Sequence, residues 1–383
     1  MIVNEFEYQK EGRYFAQCGR HVEELVAEEL RELGAEPKDI LRGGVHFRAK
    51  KEILYRANYC SQLASRILAP LFSFRCTSDK SLYNASYNFE WEKILGIEDT
   101  FAVFAHVSNS LITHSQYAAL KLKDAIVDRF RKIVGKRPSV DREDPHVWIN
   151  LNVQENHAVV SIDTSGGVLH RRGYRMHGGV TPLQETLAAA IIRLSGWKGD
   201  RPLFDPLCGS GTLLAEALLH ICHIPAGFLR PRFGFELLPD YEQKLWQKVK
   251  KANDNRIRKL PEGLIAGSDI DLALVQAAHS NLSRIPSGEK IAIIHSDFRQ
   301  LPGLENNCIV CNLPYGVRQG EKEELKIMYK AFGDFLKHKC KDSIAFILCG
   351  DFDLIGSIGL KPSRRIPIFN GPIECRLLKF EIY

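Results

Sequence analysis

The chain has 383 residues, 45% hydrophobic and 26% charged, enough for two or three domains with packed cores and inconsistent with intrinsic disorder. Lys and Arg number 52 against 46 Asp and Glu, and the resulting net charge of +6 permits a polyanionic partner without requiring one. The stretch from Met1 to Glu7 is acidic and no apolar run approaches membrane-spanning length, so a cytoplasmic protein without signal peptide or membrane anchor is expected. The ten cysteines are scattered, several inside apolar runs, as buried reduced thiols would be.

Residues 13 to 47 read as strand, helix, strand. Tyr14-Phe15-Ala16 and Val45-His46-Phe47 are short and apolar, while Val22, Leu25, Val26, Leu30 and Leu33 recur at helical spacing and stop at Gly34. Ile53, Leu54, Ala57, Leu63 and Ile67 predict a second helix from about Lys51 to Ala69. A strand over Phe101–Ala105, a helix over Ser115–Val134 and strands over Val147–Leu151 and Ala158–Ile162 follow. In that helix Leu122, Ile126, Phe130 and Ile133 form the inner stripe. Lys121, Arg129, Lys132 and Lys136 gather on one face, either to track a phosphate backbone or, with Asp124 and Asp128 interleaved, as a solvated surface. His170-Arg171-Arg172-Gly173-Tyr174-Arg175 is the densest basic cluster and follows a Gly166-Gly167 break. Basic residues around an aromatic suit a nucleic-acid backbone, or a linker kept soluble by arginines.

Beyond Gly179 the pattern becomes the helix and apolar-strand alternation of a doubly wound α/β domain. Thr181-Pro182 suits the start of a helix through Leu187, Ala190, Ile191 and Leu194. Leu203 through Thr212 reads as strand, glycine turn and helix start, where a nucleotide-like ligand lies close to the backbone. The spacing is neither G-x-G-x-x-G nor a P-loop, and Asp205 at the strand end suits an amino group better than a pyrophosphate. The next strand ends in Ser268-Asp269-Ile270-Asp271, the third in Ser296-Asp297-Phe298, and the fourth, Cys308-Ile309-Val310-Cys311, in Asn312-Leu313-Pro314-Tyr315-Gly316. Cys308 and Cys311 point to opposite faces of a strand, and His220, Cys222 and His223 converge poorly on a helix, so no metal is assigned. An amide, a proline carbonyl and an aromatic ring can hold a flat molecule bearing an exocyclic amine.

These motifs, with Pro182-Leu183-Gln184-Glu185-Thr186-Leu187-Ala188, Ser115-Gln116-Tyr117 and Leu169 through Arg175, resemble class I S-adenosylmethionine (SAM)-dependent methyltransferases acting on exocyclic amines and carrying a THUMP module. The resemblance is greatest to bacterial 23S ribosomal RNA guanine-N2 methyltransferases and covers nearly the whole chain. It implies an α/β fold: a C-terminal Rossmann-like domain with a seven-stranded, mostly parallel sheet, behind an N-terminal α+β ferredoxin-like and THUMP module. The implied boundaries are 1–48, ferredoxin-like part; 49–165, THUMP domain; 166–180, linker; and 181–383, methyltransferase domain.

By this resemblance Asp205, Pro206, Cys208, Gly209, Ser210, Gly211 and Thr212 wrap the methionine part of SAM, Asp269 takes the ribose hydroxyls, and Ile270, Asp297 and Phe298 hold the adenine. Asn312 and the Pro314 carbonyl accept from the guanine N2 amine while Tyr315 stacks on the base, leaving S-adenosylhomocysteine (SAH) as the second product. RNA, ribosomal above all, is the implied partner, gripped by Lys121, Arg129, Lys132, Arg171, Arg172 and Arg175. Leu313 stands where many relatives have a second proline, which weakens the choice of target base. The alternatives are transfer RNA guanine-N2 or adenine-N6 methylation. A dinucleotide-dependent oxidoreductase is disfavoured by the missing glycine spacing, and a non-catalytic RNA-binding protein by retention of both strand-end motifs.

Overall fold

The computed structural model describes residues 5–176, 183–315 and 322–383. The N-terminal half is one eight-stranded sheet, ordered β2-β3-β1-β4-β8-β7-β5-β6. Its strands are β1 (Arg13–Gln17), β2 (Glu36–Leu41), β3 (Gly44–Arg48), β4 (Arg66–Arg75), β5 (Thr100–Ser108), β6 (Ser139–Val140), β7 (Val147–Gln154) and β8 (His157–Asp163). β4 joins the two parts of this half, pairing with β1 at Arg66–Leu68 and with β8 from Leu68 to Arg75. The ladder with β8 shifts register between Pro70 and Phe72, where proline has no N–H to give.

The second helix therefore ends earlier than its periodicity predicts, at Cys60, and Ile67 lies in a strand. One cause is Glu29, buried on the Glu23–Glu32 helix. Its carboxylate accepts from the Ser61 hydroxyl at 2.5 Å and the Gln62 and Leu63 N–H groups at 2.8 and 3.3 Å, a receptor that turns residues 61–63 away from the helical path. The Ser115–Val134 helix forms as expected, with Leu122, Ile126 and Phe130 buried, but Ile133 is exposed in the last turn.

The C-terminal half is a seven-stranded sheet ordered β11-β10-β9-β12-β13-β15-β14, parallel except around β15. These strands are β9 (Leu203–Asp205), β10 (Ile265–Asp269), β11 (Ala292–His295), β12 (Cys308–Asn312), β13 (Ile344–Cys349), β14 (Arg364–Asn370) and β15 (Ile373–Glu381). The expected architecture is present in both halves. Side chains of β12 alternate between two cores: Cys308 and Val310 join one that is continuous with the N-terminal module, and Ile309 and Cys311 join another under the Lys322–Lys339 helix. Two-sided burial explains why this strand reads as an uninterrupted apolar run. The residues expected to cap the first helix of this half, Thr181 and Pro182, lie outside the described residues; that helix runs Glu185–Ser195. Among the described residues no helix is long and apolar enough to cross a membrane.

Arg172 joins the halves. It is 2% exposed, and its guanidinium donates to the Leu169 carbonyl at 2.9 Å, to the Gln62 carbonyl of the N-terminal module, and to both Glu216 oxygens at 3.3 and 3.4 Å. The Tyr174 hydroxyl donates to Glu216 at 3.1 Å. Glu216 lies on the Thr212–Ile221 helix. Glu216→Leu alone should therefore lose about 3–5 kcal/mol by stranding a buried guanidinium, and adding Arg172→Met should recover most of it. Urea denaturation of the single and double variants measures both.

Candidate active site

β9 ends on Asp205, and the chain turns through Gly209 (φ +53°) and Gly211 (φ +83°) into the Thr212–Ile221 helix. Both glycines hold the left-handed conformation that side chains resist. A Cβ on Gly209 would meet nothing within 4 Å, so this turn faces open space. On the adjacent strand Gly267 must be glycine, because a Cβ there would lie 2.9 Å from the Asp205 carbonyl oxygen.

The backbone donors of the turn are largely spent inside it. Leu207 N–H goes to the Asp205 carboxylate at 3.1 Å, Cys208 N–H to the Ser268 carbonyl at 2.9 Å, Gly209 N–H to Asp269 at 2.8 Å and Gly211 N–H to the Cys208 carbonyl at 2.9 Å. The Pro206 carbonyl accepts from Ser268 Oγ at 3.2 Å, and the Ser210 carbonyl from Asn281 Nδ2 at 3.1 Å. Asp205 is buried, and burial with repulsion from Asp269 pushes its carboxyl well above the usual carboxylate range. A cationic amine placed against it would relieve that cost.

Asp269, at the tip of β10, accepts the Asp271 N–H at 3.0 Å besides that of Gly209, and its two oxygens have further lone pairs for hydroxyls. Asp271 caps the following helix through Ala273 N–H at 2.8 Å. Ile270 is 63% exposed beside Asp269, an apolar surface for a flat ring. The residues from Asp205 to Thr212 thus meet Asp269 and Ile270 at one sheet edge, where carboxylates would suit the amine and ribose hydroxyls of SAM and Ile270 its ring. The third strand end is arranged otherwise. Asp297 is held by Arg299, through its N–H at 2.9 Å and its guanidinium at 2.9 and 3.0 Å, which keeps the carboxyl below its usual range. Phe298 is a core residue packed on Phe332 and Phe335 at 5.4 and 5.7 Å, which leaves little of its ring open to a ligand.

β12 neighbours β9 in parallel, so Asn312 ends on the same sheet edge as Asp205. Asn312 Oδ1 is buried and without a hydrogen-bond partner among the described residues. The Pro314 carbonyl accepts from the Tyr329 hydroxyl at 3.2 Å and retains a second lone pair. Leu313 is buried and its N–H donates to the Leu348 carbonyl at 3.3 Å, a bond that a proline at this position would lack. The Tyr315 ring abuts Gly350, where a Cβ would lie 2.4 Å away. Its hydroxyl accepts from Asn370 Nδ2 at 2.7 Å. Gly316 lies outside the described residues.

The expected RNA-contacting residues divide. Arg172 is corrected to an internal tie, since it is buried against Glu216. Arg175 turns into the cofactor side, donating to Glu185 at 3.0 Å, the Leu183 carbonyl at 2.8 Å and Thr212 Oγ1 at 3.0 Å. Arg129, half-buried, forms a fork with Glu92 at 2.6 and 2.9 Å. Arg171 is exposed. Lys121 lies over the Tyr83 and Tyr117 rings at 6.0 and 5.8 Å, and Lys132 over Tyr87 at 5.7 Å. Glu216, Gly350, Tyr329 and Asn370 were not legible as site supports; only Gly350, directly after a strand, carries a sequence signal.

Burial, with repulsion from Arg172 and Arg193 respectively, pushes His170 and His220 down from 6.5 to about 4. Unfolding restores both to the ordinary range, so the unfolded chain binds more protons between those values. Stability should be fully present above pH 6.5 and fall as pH drops toward about 4. Replacing both with Gln should flatten that decline in thermal denaturation. At the cofactor edge, Asp269→Ala should weaken SAH binding by about 100-fold or more, the worth of two charge-assisted hydrogen bonds, in calorimetric titration.

Three family descriptions match the chain: an RMKL-like methyltransferase domain over residues 172–379, a THUMP domain over 76–163 and an RlmL ferredoxin-like domain over 13–68. Synechocystis slr0064, which carries a provisional RNA methyltransferase name, is 38% identical over 97% of each chain. The ribosomal RNA large subunit methyltransferase K/L of Syntrophotalea carbinolica is 36% identical over 97% of this chain, which spans only 53% of that relative. The structure of SMU.472 complexed with SAH has a TM-score of 0.85 and 27% identity over 97% of this chain and 98% of the other. A Listeria monocytogenes protein whose name assigns N6-adenine-specific DNA methylase activity has a TM-score of 0.84 and 25% identity over 99% of each. The chain belongs to the RMKL-like methyltransferase family, in the form that carries RlmL ferredoxin-like and THUMP domains.

Proposed function

We propose that this protein is a SAM-dependent RNA methyltransferase that methylates the exocyclic N2 amine of a guanosine in 23S ribosomal RNA. The observation that carries the reading is the buried Oδ1 of Asn312, without a hydrogen-bond partner among the described residues, at the sheet edge that holds the Asp205 turn. Burying an acceptor without a donor costs about 1–3 kcal/mol, and an incoming N–H would offset that cost. The named relatives support an RNA substrate, and the large-subunit enzyme a ribosomal one.

SAM bound here supplies an electrophilic sulfonium methyl for in-line displacement by an amine. The protein's part is to orient that amine. Asn312 Oδ1 and the Pro314 carbonyl would each accept one N–H, favouring a pyramidal nitrogen with its lone pair directed toward the Asp205 edge. Asn312 is no general base, because an amide oxygen does not usefully take a proton at neutral pH. Tyr315 would stack on the base. A base paired in a helix must first leave its stack, and the N-terminal module would grip the surrounding RNA through Arg171, Lys121, Lys132 and the tyrosines beneath the two lysines.

The spent N–H groups of the glycine turn disfavour the dinucleotide alternative, since a pyrophosphate needs those donors. Asn312→Ala should abolish methyl transfer to deproteinised 23S ribosomal RNA while SAH affinity, measured by calorimetry, changes little. Mass spectrometry of the digested product should show N2-methylguanosine. N6-methyladenosine, or methylation of transfer RNA alone, would replace the substrate assignment, and full turnover by the variant would sink the clamp.

A further inference from the structure

The hairpin at the far edge of the catalytic sheet reaches the base-stacking ring. Asn370 closes β14, opposite Ile373 of β15, and its Nδ2 donates to the Tyr315 hydroxyl at 2.7 Å. The Cys375 thiol lies 3.8 Å from the same oxygen. With Gly350 against the ring and Asn370 on its hydroxyl, Tyr315 is held at both ends. The residue before Asn370 is in turn held from the other half of the molecule. His21 stacks on the Phe369 ring, centroids 5.4 Å apart and planes 6° apart, and the Arg20 guanidinium lies 5.5 Å from the same ring. His21 has φ +66°, a left-handed conformation that costs a non-glycine residue energy and persists where surrounding contacts enforce it.

We propose that Asn370 is a positioning residue that fixes the Tyr315 ring for the target base, and that Arg20 and His21 of the N-terminal module brace it through Phe369. The proposal rests on the amine-clamp reading for its catalytic meaning, but the positioning itself does not. The N-terminal module thereby contributes to the active-site geometry as well as to RNA grip. Asn370 acts only through Tyr315: its hydrogen bond ends on the phenol, so it gives the base a fixed platform and touches no reacting atom.

The test uses the full chain with 3-fluorotyrosine at position 315, read by fluorine NMR, beside steady-state methylation of deproteinised 23S ribosomal RNA. Asn370→Ala should shift and broaden the fluorine resonance, and His21→Ala should shift it less in the same direction. In the unlabelled protein Asn370→Ala should lower kcat about tenfold, the worth of one hydrogen bond, with KM for SAM unchanged. Tyr315→Phe should cost as much, and the double variant no more than either alone. Asn370→Asp, which keeps the shape and can accept from the phenol, should recover most of kcat. An unmoved resonance in Asn370→Ala, or losses that multiply in the double variant, would overturn the proposal. Wild-type protein inactive on this RNA would count against the guanine reading, while the resonance would still decide the positioning role.

Discussion

The buried pair of Arg172 and Glu216 is the constraint on which the two halves depend. Its guanidinium donates to carbonyls of the segment that Glu29 holds, and its carboxylate stands on the helix that begins at the glycine turn. Burial pushes the Glu216 carboxyl up and the adjacent Arg172 draws it back, so each charge is tolerable only beside the other. An apolar pair of equal volume could match its stability. What the charges add is geometry: a planar fork and several carbonyls fit together in one docking arrangement, whereas apolar surfaces slide.

That arrangement extends directly into the cofactor edge. Along Arg172 to Arg175, Arg172 and Tyr174 both reach Glu216, and Arg175 reaches Glu185 and Thr212. The next residue, Met176, donates its N–H to Asn281 at 2.8 Å, and Asn281 holds the Ser210 carbonyl. A stretch that composition marks as a basic linker is thus the inner wall of the catalytic domain. The eight-stranded sheet is tied on separately, the Ile67 N–H donating to Ser165 Oγ and Arg230 to the Ser165 carbonyl, so it cannot turn against the catalytic sheet without breaking such bonds.

This explains what the sequence makes legible. Strand ends are readable because a parallel strand buried on both faces is a nearly pure apolar run, and the polar residue that ends it lies at the sheet edge, as with Asp205 and Asn312, and Asp269 one position after the buried Ser268. Charge gives no comparable signal. Arg171 and Arg172 are identical in composition and context, yet one is exposed and the other buried, and the difference is set by Glu216, forty-four positions away. The helix ending at Cys60 fails for the same reason, since Leu63 and Ile67 continue the helical stripe and it is distant groups, the Glu29 carboxylate and the Arg172 guanidinium, that hold the chain beyond it. Phe298 looks like a strand-end ring for a nucleobase until the Lys322–Lys339 helix places Phe332 and Phe335 against it. Local periodicity carries elements and their ends; partners chosen by tertiary contact are absent from it.

The chemistry of the cleft can be read from the balance of donors and acceptors. The Asp205 carboxylate is buried and pushed up, Asn312 Oδ1 is buried without a partner among the described residues, and the Pro314 carbonyl has a lone pair to spare. The backbone N–H groups of Leu207, Cys208, Gly209 and Gly211 are meanwhile consumed by the protein's own carboxylates and carbonyls. A sheet edge of this kind presents acceptors and withholds donors, so it is matched to ligands rich in N–H and O–H groups and mismatched to phosphates. An amino-acid-bearing cofactor at Asp205 and Asp269 and an exocyclic amine at Asn312 meet that requirement together. Each would supply donors to acceptors that the fold already holds in place, and under the proposed function this shared polarity, more than any one motif, would tie the two binding steps to a single reaction.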